Sequence, residues 1–89
     1  MSLVLLNHKV KDFNVWKPYF DADRDRRSAA GLKEVFVTRR ADEPNNVYML
    51  FETDDADNAQ KMMDDPNLQK VMDQAGVLTR PTITVLNKA

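Results

Sequence analysis

The sequence predicts an α+β protein built as one domain over residues 1–89. Short apolar runs indicate four strands, and apolar residues at helical spacing between them indicate two helical regions. The resulting order is strand, helix, strand, strand, helix, strand, which is the split βαβ or ferredoxin-like plan with a four-stranded antiparallel sheet. The first and third strands are apolar on both faces, whereas the second and fourth carry interleaved polar residues. We therefore expect the first and third strands at the centre of the sheet.

The first half of the chain predicts a strand over residues 4–10 and a helix from residue 13 to about residue 30. Asp12 is placed to cap this helix, and Gly31 is a natural terminator. Pro18 removes a backbone hydrogen bond inside the helix, so the helix either kinks there or restarts around Lys17. A strand over residues 32–39 follows.

The second half begins with five consecutive apolar residues, 47–51, which predict the third strand. We expect Asp54 to cap the next helix by accepting a hydrogen bond from the amide of Asp57. Because Pro66 disfavours helical geometry in the residue before it, this helix should stop near Asp64. Asp65 should then cap a second helical piece whose first residue is Pro66. Gly76 ends that piece, residues 82–86 form the last strand, and residues 87–89 are expected to be a frayed tail.

Composition narrows the possible partners. The 13 basic and 14 acidic residues nearly cancel, so nucleic acid and anionic membranes are not expected partners. The absence of cysteine removes disulfides, thiolate catalysis and cysteine metal sites. There is no apolar run of about 18 residues, so we expect a cytoplasmic protein that does not span a membrane.

The predicted arrangement leaves one sheet face without helices. Apolar side chains of the first and third strands should project from that face, and a bare apolar surface of this size is rarely left in water. A second copy packed face to face would cover it. The sequence therefore predicts a homodimer.

Three stretches carry a resemblance to a known group: residues 6–18 (LNHKVKDFNVWKP), residues 27–32 (RSAAGL) and residues 51–55 (FETDD), the last followed by Ala59, Pro66 and Leu68. They resemble small members of the dimeric α/β-barrel superfamily, which includes the antibiotic-biosynthesis-monooxygenase-type (ABM-like) domains. The resemblance implies a homodimer whose two sheets form a barrel, with a ligand cavity between sheet and helices. It does not select an activity, because the superfamily includes cofactor-free oxygenases, haem-handling proteins, isomerases and cyclases.

The haem-degrading members of that superfamily use an Asn on the first strand, a Trp and a His carried by a helix. Asn7 matches the first of these. Trp16, however, lies on the first predicted helix, and His8, the single histidine, lies on the first strand. Haem degradation is therefore not expected, and we expect neither a cofactor nor a metal.

His8 is the candidate catalytic residue, since histidine is the side chain whose ordinary pKa lies near neutrality. It could act as a general base, and its alternative role is that of a hydrogen-bonded structural residue at the end of a strand. Asn7 or Arg27 could stabilise negative charge that develops on a ligand.

Trp16, Phe20, Asp23 and Arg27 are spaced four, three and four residues apart, which places them on one helical stripe. The two rings and the charged pair could bind a polar or anionic aromatic ligand. The alternative is that the rings pack against the sheet and that Asp23 and Arg27 form an ordinary ion pair.

Two functions remain open. The first is a dimer that binds a small apolar or aromatic organic molecule, with cofactor-free monooxygenase-like or isomerase-like chemistry. The second is a non-catalytic regulatory or stress-related module. An open cavity reached by His8 or Arg27 favours the first, and a sealed core filled by methionine and aromatic side chains favours the second.

Overall fold

The structure, a computed structural model, describes residues 1–88 and contains one antiparallel sheet and four helices within that range. The elements in chain order are β1 (Ser2–Lys9), α1 (Phe13–Ala22), α2 (Arg24–Ala29), β2 (Lys33–Arg39), β3 (Asn46–Thr53), α3 (Asp57–Met63), α4 (Pro66–Gln74) and β4 (Thr82–Asn87). This is the predicted ferredoxin-like arrangement, with each helical region divided into two helices.

The strands follow one another across the sheet in the order β2, β3, β1, β4. The strands that are apolar on both faces are therefore the central ones, as predicted. Paired residues of an antiparallel sheet point to the same side. Leu6 pairs with Met49 on β3 and with Ile83 on β4, and Leu5 pairs with Leu50. The register thus assigns the paired strand residues to one of two faces.

The helices cover only one of these faces. On the covered face, Val4, Leu6 and Phe51 are buried completely or nearly so. Neighbouring residues in the sequence point the other way and form what we call the open face. Its apolar members are Leu3, Leu5, Phe36, Tyr48, Leu50 and Leu86. No element of residues 1–88 packs over them, so this face remains without a protein cover.

The first helical region breaks at Asp23 instead of at Pro18, which lies inside α1. The break exposes the carbonyl group of Phe20 at the end of α1. Arg27 Nη1 donates a hydrogen bond to that carbonyl at 2.6 Å, and the amide of Asp23 also donates to it. The Arg27 side chain of α2 thus stabilises the end of α1. Helix propensities along the sequence do not predict such a contact between two helices.

The residue predicted to cap the start of α3 was wrong by one position. The amide of Asp57 donates to Asp55 Oδ1 at 3.0 Å, and not to Asp54. At α4 the prediction is confirmed, because Asp65 Oδ1 accepts from the amide of Asn67 at 2.9 Å and Pro66 is the first helical residue.

The two predicted helix terminators and the chain end complete the fold. Gly31 and Gly76 both have positive φ, 76° and 82°, which explains the glycine at each helix end. β4 continues to Asn87, so the predicted tail begins later than expected; Ala89 lies outside the described residues. Among the helices described here, none is long and apolar enough to cross a membrane.

Candidate functional site

A cavity of about 50 Å³ lies between the covered face of the sheet and the helices; we call it the inner cavity. Five of the six residues predicted from the sequence for the site line it. The full lining is Leu6, His8, Trp16, Tyr19, Phe20, Asp23, Arg27, Met49, Phe51, Met62, Met63, Leu68, Val71, Met72 and Ala75. The helical stripe inferred from the spacing of α1 and α2 therefore faces one hollow.

His8 reaches this cavity from the covered face of β1 and is 95% buried. Its Nδ1 atom is buried without a hydrogen-bond partner in the part of the chain that the structure describes. Burial away from water lowers the pKa of His8 from 6.5 to about 4, because it disfavours the charged imidazolium. The imidazole is therefore neutral at physiological pH and carries one nitrogen that can accept a proton.

Aromatic rings hold His8 in place. The Trp16 ring lies edge-to-face with the imidazole, with 5.4 Å between ring centroids and 76° between the planes. Phe20 lies 4.9 Å from Trp16, centroid to centroid, and continues the aromatic wall towards α2. Both rings come from one face of α1, so the helix presents a stacked apolar surface to the cavity.

Arg27 occupies the end of that wall and is also 95% buried. Its guanidinium carbon lies 3.7 Å from the Phe20 ring centroid, a cation–π arrangement. Its Nη2 atom lies 3.7 Å from Glu34 Oε1 and has no hydrogen-bond partner within residues 1–88. Burial lowers the pKa of Arg27, and the negative charges of Glu34 and Asp23 oppose this effect.

The predicted pairing of Asp23 with Arg27 is not the one the structure forms. Both carboxylate oxygens of Asp23 accept from Arg26 Nε at 3.0 Å. Arg26 Nη1 also donates to Asp65 Oδ2 at 2.7 Å, which links α2 to the start of α4. Spacings of three and four residues both bring side chains together on a helix, so sequence alone does not choose between Arg26 and Arg27.

Asn7 is the predicted site residue that the structure does not bring to the cavity. It precedes His8 on β1 and therefore points to the open face. There its Nδ2 atom donates to Asn46 Oδ1 at 2.7 Å and to the carbonyl of Val47 at 3.0 Å. The signal for this was in the sequence, because adjacent strand residues point to opposite faces and cannot share one cavity.

The residues that sequence reasoning did not assign to the site come mainly from α3 and α4. Met62 belongs to the buried core, Met63 and Met72 pack against that core, and all three line the cavity. Within residues 1–88 no group of three or more His, Asp or Glu side chains is placed to hold a metal ion.

The volume of the inner cavity limits what it holds in this conformation. About 50 Å³ accommodates one or a few water molecules, whereas cavities that bind benzene measure about 150 Å³. An aromatic ligand therefore requires lining side chains to move. Methionine is suited to this, because it is unbranched and has three rotatable side-chain bonds.

Several solved structures have this arrangement of strands and helices. A candidate antibiotic biosynthesis monooxygenase from Bordetella bronchiseptica superposes with a TM-score of 0.78 at 13% identity, covering 99% of this chain and 96% of the other. A second, from Caulobacter crescentus, gives 0.72 at 15% identity and covers 99% and 89%. An uncharacterised NIPSNAP-like domain protein from Burkholderia xenovorans gives 0.68 at 11% identity and covers 99% and 84%.

The chain has the fold of the antibiotic biosynthesis monooxygenase domains. The resemblance noted in the sequence is confirmed at this level, over essentially the whole chain. Identities of 11–15% establish a shared fold and leave the activity to be argued from the site itself. No protein-family model and no curated protein matches the sequence.

Proposed function

We propose that the protein is a homodimer that binds a small apolar or aromatic molecule with an acidic proton in the inner cavity, where His8 accepts that proton. The observation that carries the proposal is the Nδ1 atom of His8, which is buried in the wall of an apolar cavity and has no hydrogen-bond partner among the described residues. A buried polar atom without a hydrogen bond is costly, and a ligand that donates one to it removes that cost.

The neutral state of His8 suits this role. With a pKa of about 4 the imidazole is unprotonated at physiological pH, although it is a weak base while the cavity is empty. Proton transfer from a phenol or an enolisable ketone leaves an anion next to the new imidazolium. The two opposite charges stabilise each other in a dry site, so the pKa of His8 rises in the complex when base strength is required.

Arg27 is placed to stabilise the anion. Its Nη2 atom makes no hydrogen bond within residues 1–88, and a ligand oxygen would supply the missing acceptor. A guanidinium remains charged in proteins, so the group retains the positive charge that an anion requires. A phenolate or enolate held in this way either takes a proton back at another atom, which is an isomerisation, or reacts directly with oxygen. Both outcomes are consistent with a cofactor-free enzyme.

Dimerisation is supported by the open face. Phe36 and Leu86 are each 40% exposed, and Leu3, Leu5 and Leu50 are only half-buried in a single chain. A second copy packed on this face would bury them and form a barrel from two sheets. The expectations of a cytoplasmic location and of no nucleic-acid partner remain predictions from composition.

The small size of the inner cavity favours a second candidate, the non-catalytic module. At about 50 Å³ the space is nearly filled by its own aromatic and methionine side chains, as in an ordinary core. In that case Arg27 and His8 would serve only the packing of α1 and α2.

Two measurements separate these candidates. Native mass spectrometry of freshly purified protein should give twice the denatured mass, with additional mass where a ligand is retained. The second measurement uses 4-nitrophenol, whose phenolate is coloured. Bound to the protein it should ionise at a lower pH than in water, and His8→Gln and Arg27→Lys should each reduce this shift. A monomer would overturn the dimer, and the absence of any binding would favour the module.

A further inference from the structure

A larger hollow of about 560 Å³ lies beside the inner cavity, between α4 and the segment that leads into β4; we call it the α4–β4 groove. Its volume falls in the range of small-molecule sites, about 300–1,000 Å³. Its lining combines apolar side chains with the amides of Gln60 and Gln69, the hydroxyl of Thr79 and the guanidinium of Arg80. None of these residues was assigned a role from the sequence.

Met63 and Met72 line both the groove and the inner cavity. Their side chains are therefore the wall between the two spaces. The floors also adjoin, because Leu6 beneath the cavity and Ile83 beneath the groove are direct partners in the β1–β4 ladder. Cβ atoms of such partners lie about 5 Å apart on one face of a sheet. Movement of the two methionines would thus join the spaces along a continuous floor.

The opposite end of the inner cavity has a different kind of wall. There Arg27 separates the cavity from a hollow beside Glu34. Arg27 is fixed by its hydrogen bond to the Phe20 carbonyl, by the Phe20 ring and by Glu34. The methionine wall has no such bonds, so it is the wall that yields more easily.

We propose that the inner cavity and the α4–β4 groove form one binding site for an aromatic carboxylate, with Met63 and Met72 as a movable partition. The apolar ring of the ligand displaces the partition and reaches Trp16 and His8, while its carboxylate stays in the groove and binds Arg80. This inference rests on the function proposed above and adds the route, the second half of the site and the class of ligand.

The chemistry of Arg80 determines the polar end of the ligand. It makes no ion pair within the described part of the chain, residues 1–88. A guanidinium binds a carboxylate through two parallel hydrogen bonds. Asp73 also lines the groove and offsets part of this positive charge, while the amides of Gln60 and Gln69 are neutral donors. The expected preference for an anionic end is therefore modest.

Trp16 makes the inference testable, because it is the single tryptophan of the chain and lines the inner cavity but not the groove. The probes are 1-naphthoate and its neutral amide, added to the full-length protein in a stopped-flow fluorimeter. A change in Trp16 fluorescence reports a ring that has entered the inner cavity. Binding confined to the groove would leave that fluorescence nearly unchanged.

The partition is tested by Met63→Ala and Met72→Ala. Each substitution should raise the association rate of 1-naphthoate by several-fold to about tenfold. An increase of this size is expected because the methionine side chain no longer has to leave its preferred rotamer before the ligand enters. Met62→Ala is the matched comparison, since Met62 lines the inner cavity but not the groove and its truncation adds volume without opening the wall. The association rate of 1-naphthoate with this variant should therefore rise less than with Met63→Ala or Met72→Ala.

Arg80→Gln tests the polar end. It should weaken 1-naphthoate by about threefold to fivefold, as for an exposed ion pair, and leave the amide unchanged. Arg40 follows β2, the edge strand opposite β4, so Arg40→Gln should affect the binding of neither probe. Equal rates for all three methionine variants, or no loss of carboxylate preference in Arg80→Gln, would overturn the inference while the binding itself stands. No Trp16 response to 1-naphthoate in any variant, with the ionisation shift of 4-nitrophenol retained, would overturn the inference and leave the proposed function standing. The absence of both responses would refute the proposed function.

Discussion

The two faces of the sheet use the same strands for different purposes. On the covered face, Val4, Val47 and Phe51 are completely buried beneath four helices, and the same side holds the inner cavity. On the open face, the adjacent residues Leu5 and Leu50 remain half-buried. Because successive side chains of a strand point to opposite faces, two residues adjacent in the sequence place one side chain on the covered face and one on the open face at nearly the same position in the sheet. Such pairs provide matched comparisons of a folding core with a candidate interface.

The largest contrast is expected between Phe51 and Leu50. Phe51→Ala removes a completely buried ring from the central strand β3 and should lower the free energy of unfolding by about 3–5 kcal/mol. Leu50→Ala should cost the single chain about 1 kcal/mol, since only part of that side chain is removed from water by folding. Urea denaturation of both variants at low protein concentration measures the difference. Equal losses would show that the two faces are not distinct in the single chain.

The open face is tested more directly by Leu50→Lys. In a two-fold symmetric dimer the substitution places two ammonium groups in the interface, and each would have to be desolvated. We expect dimerisation to weaken by about a thousandfold or more, since several kcal/mol oppose association, while the fold is retained. Sedimentation velocity gives the mass and circular dichroism checks the fold.

The control for this substitution is Val15→Lys. Val15 is 52% exposed and lies on α1, away from the sheet. It should leave the dimer intact. A wild-type protein that sediments as a monomer, or a Leu50→Lys variant that stays dimeric, would refute the face-to-face arrangement.

The element order and the two sheet faces were predictable because both follow from periodicity. Runs such as residues 47–51 are too short for helices, and alternation assigns their side chains to faces without further information. The same rule, applied to residues 7 and 8, would have separated Asn7 from the site. Sequence periodicity was sufficient to predict the environment of a residue wherever that environment depends only on the strand or helix that contains the residue.

The details that sequence did not provide depend on contacts between elements. The break at Asp23 is stabilised by Arg27, and Arg26 is directed by Asp65, 39 positions along the chain. The amide of Asp57 donates to Asp55 and not to the predicted Asp54, and local sequence does not distinguish two adjacent carboxylates. The partition formed by Met63 and Met72 exists only because α3 and α4 pack over β1 and β4 together.

His8 gives a pH-dependent contrast. Its pKa is about 4 in the folded chain and 6.5 when exposed, so the unfolded chain binds more protons between these values. Above pH 6.5 the burial of His8 therefore does not lower the free energy of unfolding. As the pH falls towards 4, that free energy decreases by up to about 3 kcal/mol. His8→Gln should remove this part of the dependence. Denaturant midpoints of both proteins across this range measure it, and parallel curves would refute the burial effect.

The smallest effect is expected at Asn7, the neighbour of His8 on the open face. Asn7→Ala removes two hydrogen bonds, to Asn46 and to the Val47 carbonyl, and should cost about 1 kcal/mol of stability. It should not alter the response of Trp16 fluorescence to 1-naphthoate, because the sheet lies between Asn7 and the inner cavity. His8→Gln at the adjacent position should alter that response at equal protein concentration. If Asn7→Ala instead weakens binding of 1-naphthoate as much as His8→Gln does, the binding site includes the open face. The assignment of one face to the interface and the other to the cavity would then be wrong, because residues 7 and 8 test it most directly.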